Sequence, residues 1–223
     1  MQDYRELYKI RFNKFERIKK QKLWKIFCRI FLQQFINKKN DLVLDIGAGS
    51  CEFINNIQCR GKWAIDGDPN FRKNAFKNVK TIVGKAHQVK TKIHKKFDII
   101  FLSNLLEHLD SKEEVFKFLF NLKFLLKRNG KILLMQPDIK RVGMSYWDFF
   151  DHKVALTEKS LIEVFEALDY KIIFKISPFL PYSTKVGFPL WEFLLIIYLK
   201  LRPLHYIFGK QFFLIAQYKP IDK

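Results

Sequence analysis

Residues 42–52 read LVLDIGAGSCE. An apolar run ends in a carboxylate, Asp45, and Gly47 and Gly49 follow with Ala48 between them. Glycine lets the backbone turn sharply and approach a ligand with no Cβ in the way. A helix starting after such a turn points unpaired N–H groups into the same crevice. A second apolar stretch, residues 63–65, ends in Asp66 with Gly67 behind it. The spacing, about 20 residues, is that at which a carboxylate reaches ribose hydroxyls in a βαβ nucleotide site. A dinucleotide site wants a third glycine where this chain has Glu52, and a carboxylate there opposes a pyrophosphate.

Outward from this turn, apolar runs alternate with helical periodicity. Strands are predicted at 42–45, 62–66, 80–83, 97–103, 130–136, 170–177 and 211–218. Helices are predicted at 51–58, 69–76, 111–127 and 157–168. Asp110 or Ser111 starts the third of these, Asn129 and Gly130 stop it, and Thr157 caps the fourth. Continuous apolar strands between helices imply an α/β fold with a buried, mostly parallel sheet covered on both faces. Residues 3–36 read as helical, with Trp24, Phe27, Phe31 and Phe35 forming an apolar stripe between lysines. Neither a repeat nor a linker divides the chain, so residues 1–223 are expected to form one domain. Residues 1–40 would be an N-terminal helical cap and 178–210 an apolar insertion before the last strand.

Bulk properties narrow the function classes. The odd set Cys28, Cys51 and Cys59, with no C-x-x-C pair, argues against a disulfide framework or a zinc site. The first 20 residues are charged throughout, unlike a signal peptide, so a cytoplasmic setting is expected. The net charge of +19 invites nucleic acid. Lysine greatly outnumbers arginine, however, and the charge is spread along the chain, so solvated faces are the plainer explanation. Residues 188–201, FPLWEFLLIIYLKL, are too short to span a bilayer, which takes roughly 20 residues, and Glu192 interrupts them. Burial, a homodimer contact, a lid over the site and peripheral contact with the inner membrane face are the roles open to them.

The D-x-G-x-G arrangement of Asp45, Gly47 and Gly49 resembles motif I of class I S-adenosylmethionine (SAM) methyltransferases. Further motifs follow in order: Asp66 matches the ribose-binding acidic residue, FDIIFLSNLLEHL the strand-4 motif, and LLKRNGKILLMQP the helix and strand-5 segment. GAGSCEFINNI and YWDFFDHKVALT look like a bacterial subgroup whose members often resemble envelope or glycan-pathway enzymes. The resemblance implies a Rossmann-like fold, a seven-stranded sheet with an antiparallel C-terminal strand, and SAM as cofactor. It places Asp45, Gly47, Ala48 and Gly49 at the methionine end and Asp66 and Gly67 at the ribose. Ser103 and Asn104 would close the cofactor pocket after strand 4. Lys85 stands where many relatives carry an acidic residue for the adenine amine, which leaves backbone groups at Ala86 and His87 to hold the base.

Methyl transfer needs a general base only when the acceptor must lose a proton. Glu107 and His108 after strand 4, and Asp151 and His152 after strand 5, are the candidates, with Asp151 beside His152 to tune its imidazole. Tyr146 and Trp147 either shape an acceptor pocket or pack. Asp138 and Asp151 form no tight oxygen-rich cluster in the sequence, so no metal is expected. The expected reaction is methylation of a hydroxyl or amine on a small-molecule or lipid-linked acceptor, including an envelope glycan precursor. RNA methylation is the alternative that the charge suggests. Ser103-Asn104-Leu105-Leu106 nevertheless replaces the N/D-P-P-Y/F sequence of amino-methylating nucleic-acid enzymes. A catalytically silent SAM-binding protein is the remaining alternative.

Overall fold

Strand β1, Leu42–Ile46, is buried along its whole length. It lies third, beside the central β4, in a seven-stranded sheet of order β3-β2-β1-β4-β5-β7-β6. The other strands are β2 Gly61–Asp66, β3 Val79–Val83, β4 Phe97–Ser103, β5 Leu126–Pro137, β6 Tyr170–Ile176 and β7 Gln211–Tyr218. Strands β1 to β5 pair in parallel, and β7 runs antiparallel between β5 and β6. This is the predicted mixed sheet. The computed structural model describes residues 14–182 and 192–219.

Alternation along the strands divides the core. Leu44, Ile100, Leu102, Ile132 and Leu134 face one cluster, together with Phe118 and Leu119 of helix α4 (Lys112–Leu122) and Leu161 and Phe165 of α6 (Glu158–Ala167). Val43, Ile99, Phe101, Leu133 and Met135 face the other, with Phe27 of α1 (Lys14–Ile30), Phe31 just after it, and Phe53 and Ile54 of α2 (Glu52–Asn56). Because side chains alternate across a strand, Asp45 shares the face of Val43. The carboxylate is thereby aimed at α1 and α2. Short helical turns α3 (Val89–Lys92) and α5 (Ile139–Val142) follow β3 and β5.

Helix α4 ends at Leu122 and passes through a 3₁₀ turn, Lys123–Leu125, into β5 at Leu126. The predicted helix to 127 is therefore too long. Leu126 pairs with Phe97 in the sheet, and that burial outweighs the helical spacing of the preceding leucines. After β2, Pro69–Lys73 forms a 3₁₀ helix rather than a longer α-helix. Asp68 caps it, accepting from the Asn70 N–H at 3.0 Å.

The insertion before β7 carries α7 (Glu192–Lys200) and α8 (Arg202–Phe208). The Tyr198 hydroxyl donates to the Phe179 carbonyl, and Glu192 pairs with Arg29 of α1. Residues 188–191 of the apolar segment lie outside the described residues. Among the described residues no helix is long and apolar enough to cross a membrane.

Candidate active site

The ends of β1, β4 and β5 open into a cavity of about 280 Å³. Its floor is the turn after β1. Gly47 and Gly49 hold φ at +74° and +52°, values reached at no steric cost by glycine. A Cβ on Gly47 would also lie 2.9 Å from Leu105 Cδ1. The Gly47 N–H donates to the Ile65 carbonyl at 2.9 Å, which ties the turn to β2. Cys51 follows at φ +60°, an uncommon conformation for a residue with a Cβ, and closes the turn onto α2.

Three carboxylates surround this floor. Asp45 is buried, and its carboxyl is held well above the usual range by burial, then by Glu52 and Asp66. Asp66 is raised by burial as well, against the pull of the Asp68 and Gly49 amides. Its Oδ2 accepts from the Gly49 N–H and its Oδ1 from the Asp68 N–H, both at 2.8 Å. Each carboxylate oxygen has two acceptor positions, so Asp66 keeps capacity for ligand hydroxyls. Glu52 pairs with Lys20 of α1 at 3.1 Å. The arrangement suits a ligand with positive charge at one end and hydroxyl groups at the other.

The opposite wall comes from the loops after β4 and β5. Asn104 adopts φ +49°, a left-handed value that asparagine tolerates, and the chain then makes a 3₁₀ turn over Leu106–His108. The Glu107 carbonyl accepts from the Lys153 N–H at 2.8 Å and from the Val154 N–H at 3.2 Å. This backbone clasp sets His152 beside His108, with ring centroids 5.0 Å apart. Glu107 is buried, which raises its carboxyl, and its Oε2 accepts from the Gln136 amide at 2.8 Å.

The sequence paired Asp151 with the adjacent His152. In the fold Asp151 meets His108: its carbonyl is 3.0 Å and its Oδ2 3.4 Å from His108 Nδ1. The chain turns at His152, whose N–H donates to the Phe149 carbonyl at 3.0 Å.

Asp45, Gly47, Ala48, Gly49, Ser103, Asn104, Glu107, His108 and His152 all line the cavity. Asp66 and Gly67 are not among its lining residues; Asp66 is joined to the floor through the Gly49 amide. Ala86 and His87 lie in the turn after β3, where His87 is exposed and 3.8 Å from Glu114. Tyr146 backs the wall rather than forming it. Its ring lies 4.7 Å from that of His152, and its hydroxyl donates to the Val154 carbonyl. Trp147 packs on Tyr146 with one side exposed.

Residues that the sequence reading missed complete the enclosure: Lys20 and Trp24 of α1, Phe149, and Tyr182 after β6, together with Leu195 and Tyr198 of α7, from the segment for which a lid was one open role. Lys20 falls on the stripe of Trp24 and Phe27, four and seven residues on, so helical spacing could have found it. Nothing local could have found Tyr182.

A methyltransferase domain family model matches residues 18–174. The chain belongs to this methyltransferase family. The methyltransferase is similar in fold to a SAM-dependent methyltransferase from Archaeoglobus fulgidus, at 20% identity and a TM-score of 0.64 over 96% of this chain and 100% of that one. It is also similar to the N-methyltransferase NodS from Bradyrhizobium japonicum in complex with S-adenosyl-L-homocysteine, at 14% identity and a TM-score of 0.58 over 94% and 89%. The YcgJ protein from Bacillus subtilis gives 18% identity and a TM-score of 0.60 over 88% and 99%. No curated protein matches the methyltransferase.

Proposed function

We propose that the methyltransferase uses SAM to methylate a hydroxyl or amine on a small or lipid-linked acceptor. One observation carries this reading: the Asp45–Gly49 turn and the histidines of the β4 and β5 loops face each other across a single cavity. The floor fits the cofactor, because a cationic sulfonium and ammonium offset the burden that Asp45, Glu52 and Asp66 place on one another. When bound, SAM supplies a methyl group already activated for in-line displacement. The protein's own task is then largely alignment, which is worth roughly 7–11 kcal/mol in favourable cases.

Gly47, Ala48 and Gly49 admit the methionine end, and Asp66 receives the ribose hydroxyls. His108 is oriented by Asp151, and His152 by Tyr146 and Phe149, so either imidazole can take a proton from the acceptor. Leu180, Leu195 and Phe149 give the roof an apolar lining. A lipid-linked acceptor is further supported by exposed Phe193 on α7, Leu201 between the helices, and Tyr206 and Ile207 on α8, among Lys200, Arg202 and Lys210. An envelope glycan precursor combines such a lipid with a hydroxylated head.

The test is transfer of labelled methyl from SAM to extracted lipid and metabolite fractions. Transfer into one fraction is expected, and His152→Ala should slow it roughly 10²–10⁴-fold with S-adenosylhomocysteine affinity retained. Label that enters no fraction overturns the enzymatic reading. Co-sedimentation with anionic vesicles, reduced in Ile207→Ser, checks the lipid arm, and no pelleting restricts the acceptor to soluble molecules.

A further inference from the structure

Glu107, His108 and His152 each bring a ligand atom within 4.8 Å of the other two. All three line the acceptor half of the cavity. We propose that they form a divalent transition-metal site of two imidazoles and one carboxylate, with open coordination positions toward the acceptor. This departs from the expectation of no metal, which sought an oxygen-rich cluster and did not pair histidines from separate loops.

The chemistry of the donor set points to the ion. Two imidazoles and a carboxylate suit zinc and its first-row neighbours, whereas magnesium and calcium prefer all-oxygen cages. The groups behind the ligands are in place as well. Gln136 donates to Glu107 Oε2, and Asp151 holds His108 through Nδ1. The Tyr182 hydroxyl lies 3.5 Å from His152 Nδ1. Partners of this kind fix the orientation of metal ligands. Gln136 is fully buried, its Nε2 donates to Glu107, and its Oε1 has no hydrogen-bond partner among the described residues. Donors around one ion at about 2.1 Å stand roughly 3–4 Å apart, so binding draws the three side chains together by about 1 Å.

The site bears on the acceptor. With three protein ligands, a zinc-type ion has at least one position left for an outside donor. Facing the cavity, that position takes a hydroxyl oxygen and lowers its pKa, so that the proton passes to solvent and the metal replaces the imidazole base of the proposed function. The inference rests on the methyltransferase reading and sharpens it from a hydroxyl or amine to a hydroxyl.

Chelator-treated full-length protein, titrated with Co²⁺ and Zn²⁺, tests the site. One equivalent of Co²⁺ should bind with visible ligand-field absorption, and Zn²⁺ should displace it. His152→Ala and Glu107→Gln should each weaken binding roughly 10-fold or more, while His94→Ala, outside the cavity, should not. Absence of stoichiometric binding overturns the proposal, as does binding that survives both substitutions, which would mark an adventitious ion. S-adenosylhomocysteine titrated into the same samples reports folding and the cofactor site separately. Retained nucleoside binding without metal binding removes the metal and leaves the methyltransferase reading standing.

Discussion

At Gly47 the left-handed backbone and the nearby Leu105 side chain both work against a Cβ. Gly47→Ala should cost about 1–2 kcal/mol from the backbone conformation alone, read as a lower melting temperature, and should distort the cofactor floor. Asp45 predicts an effect of opposite sign. Its carboxyl is raised by burial and by Glu52 and Asp66. A carboxyl raised in the folded state favours folding in full only below its unfolded value of about 3.9, and the contribution is lost as pH rises through the folded value. Ligand-free protein therefore carries a penalty near neutrality. Asp45→Asn should melt above wild type at about pH 7.5, with the difference shrinking toward about pH 4, and should bind S-adenosylhomocysteine more weakly. A variant that melts lower at neutral pH would contradict this account of the floor. At this scale the sequence was most legible where one residue type has one use. The glycines and Asp45 fall on the cavity because a β-turn-α unit places them there whatever surrounds it. The partner of Asp151 was not legible, since the clasp between Glu107 and Lys153 joins residues 46 apart.

Among the elements, α1 does two things at once. Phe27 stacks on Phe31, just past the helix end, with centroids 5.4 Å apart and covers one core cluster, while Lys20, Leu23 and Trp24 reach the cavity. Phe27→Ala should destabilise by about 3–5 kcal/mol, measured by denaturant unfolding. Helix α6 is fixed more locally: Thr157 accepts from the Ser160 N–H at 3.1 Å, and the Ser160 hydroxyl accepts from the Thr157 N–H. Thr157→Ala should cost about 1 kcal/mol, with no change in ligand affinity, because α6 lies on the face away from the cavity. The strands and α6 were readable from period and capping. The end of α4 was not, since pairing of Leu126 with Phe97 is a long-range term that helical spacing cannot show. The roof was half readable. Its apolar composition was plain, but the contact of Tyr198 with Phe179 that fixes its place joins residues 19 apart in the chain.

For the whole molecule, the sheet order puts β1 and β4 side by side, so the floor after β1 faces the loop after β4. The half proposed for the cofactor comes from β1 and β2, early in the chain. The half proposed for the acceptor comes from β4, β5 and the insertion, where the sequence had single histidines with several possible uses. The central claim is that these halves make one SAM site, with the Asp66 carboxylate holding both the Gly49 amide and the ribose. Calorimetric titration of S-adenosylhomocysteine into wild type and Asp66→Ala tests it most directly. The account predicts saturable binding by wild type and a loss of roughly tenfold or more in the variant, equivalent to about 1.4 kcal/mol. Failure of the wild type to bind, or equal affinity in the two proteins, would contradict it.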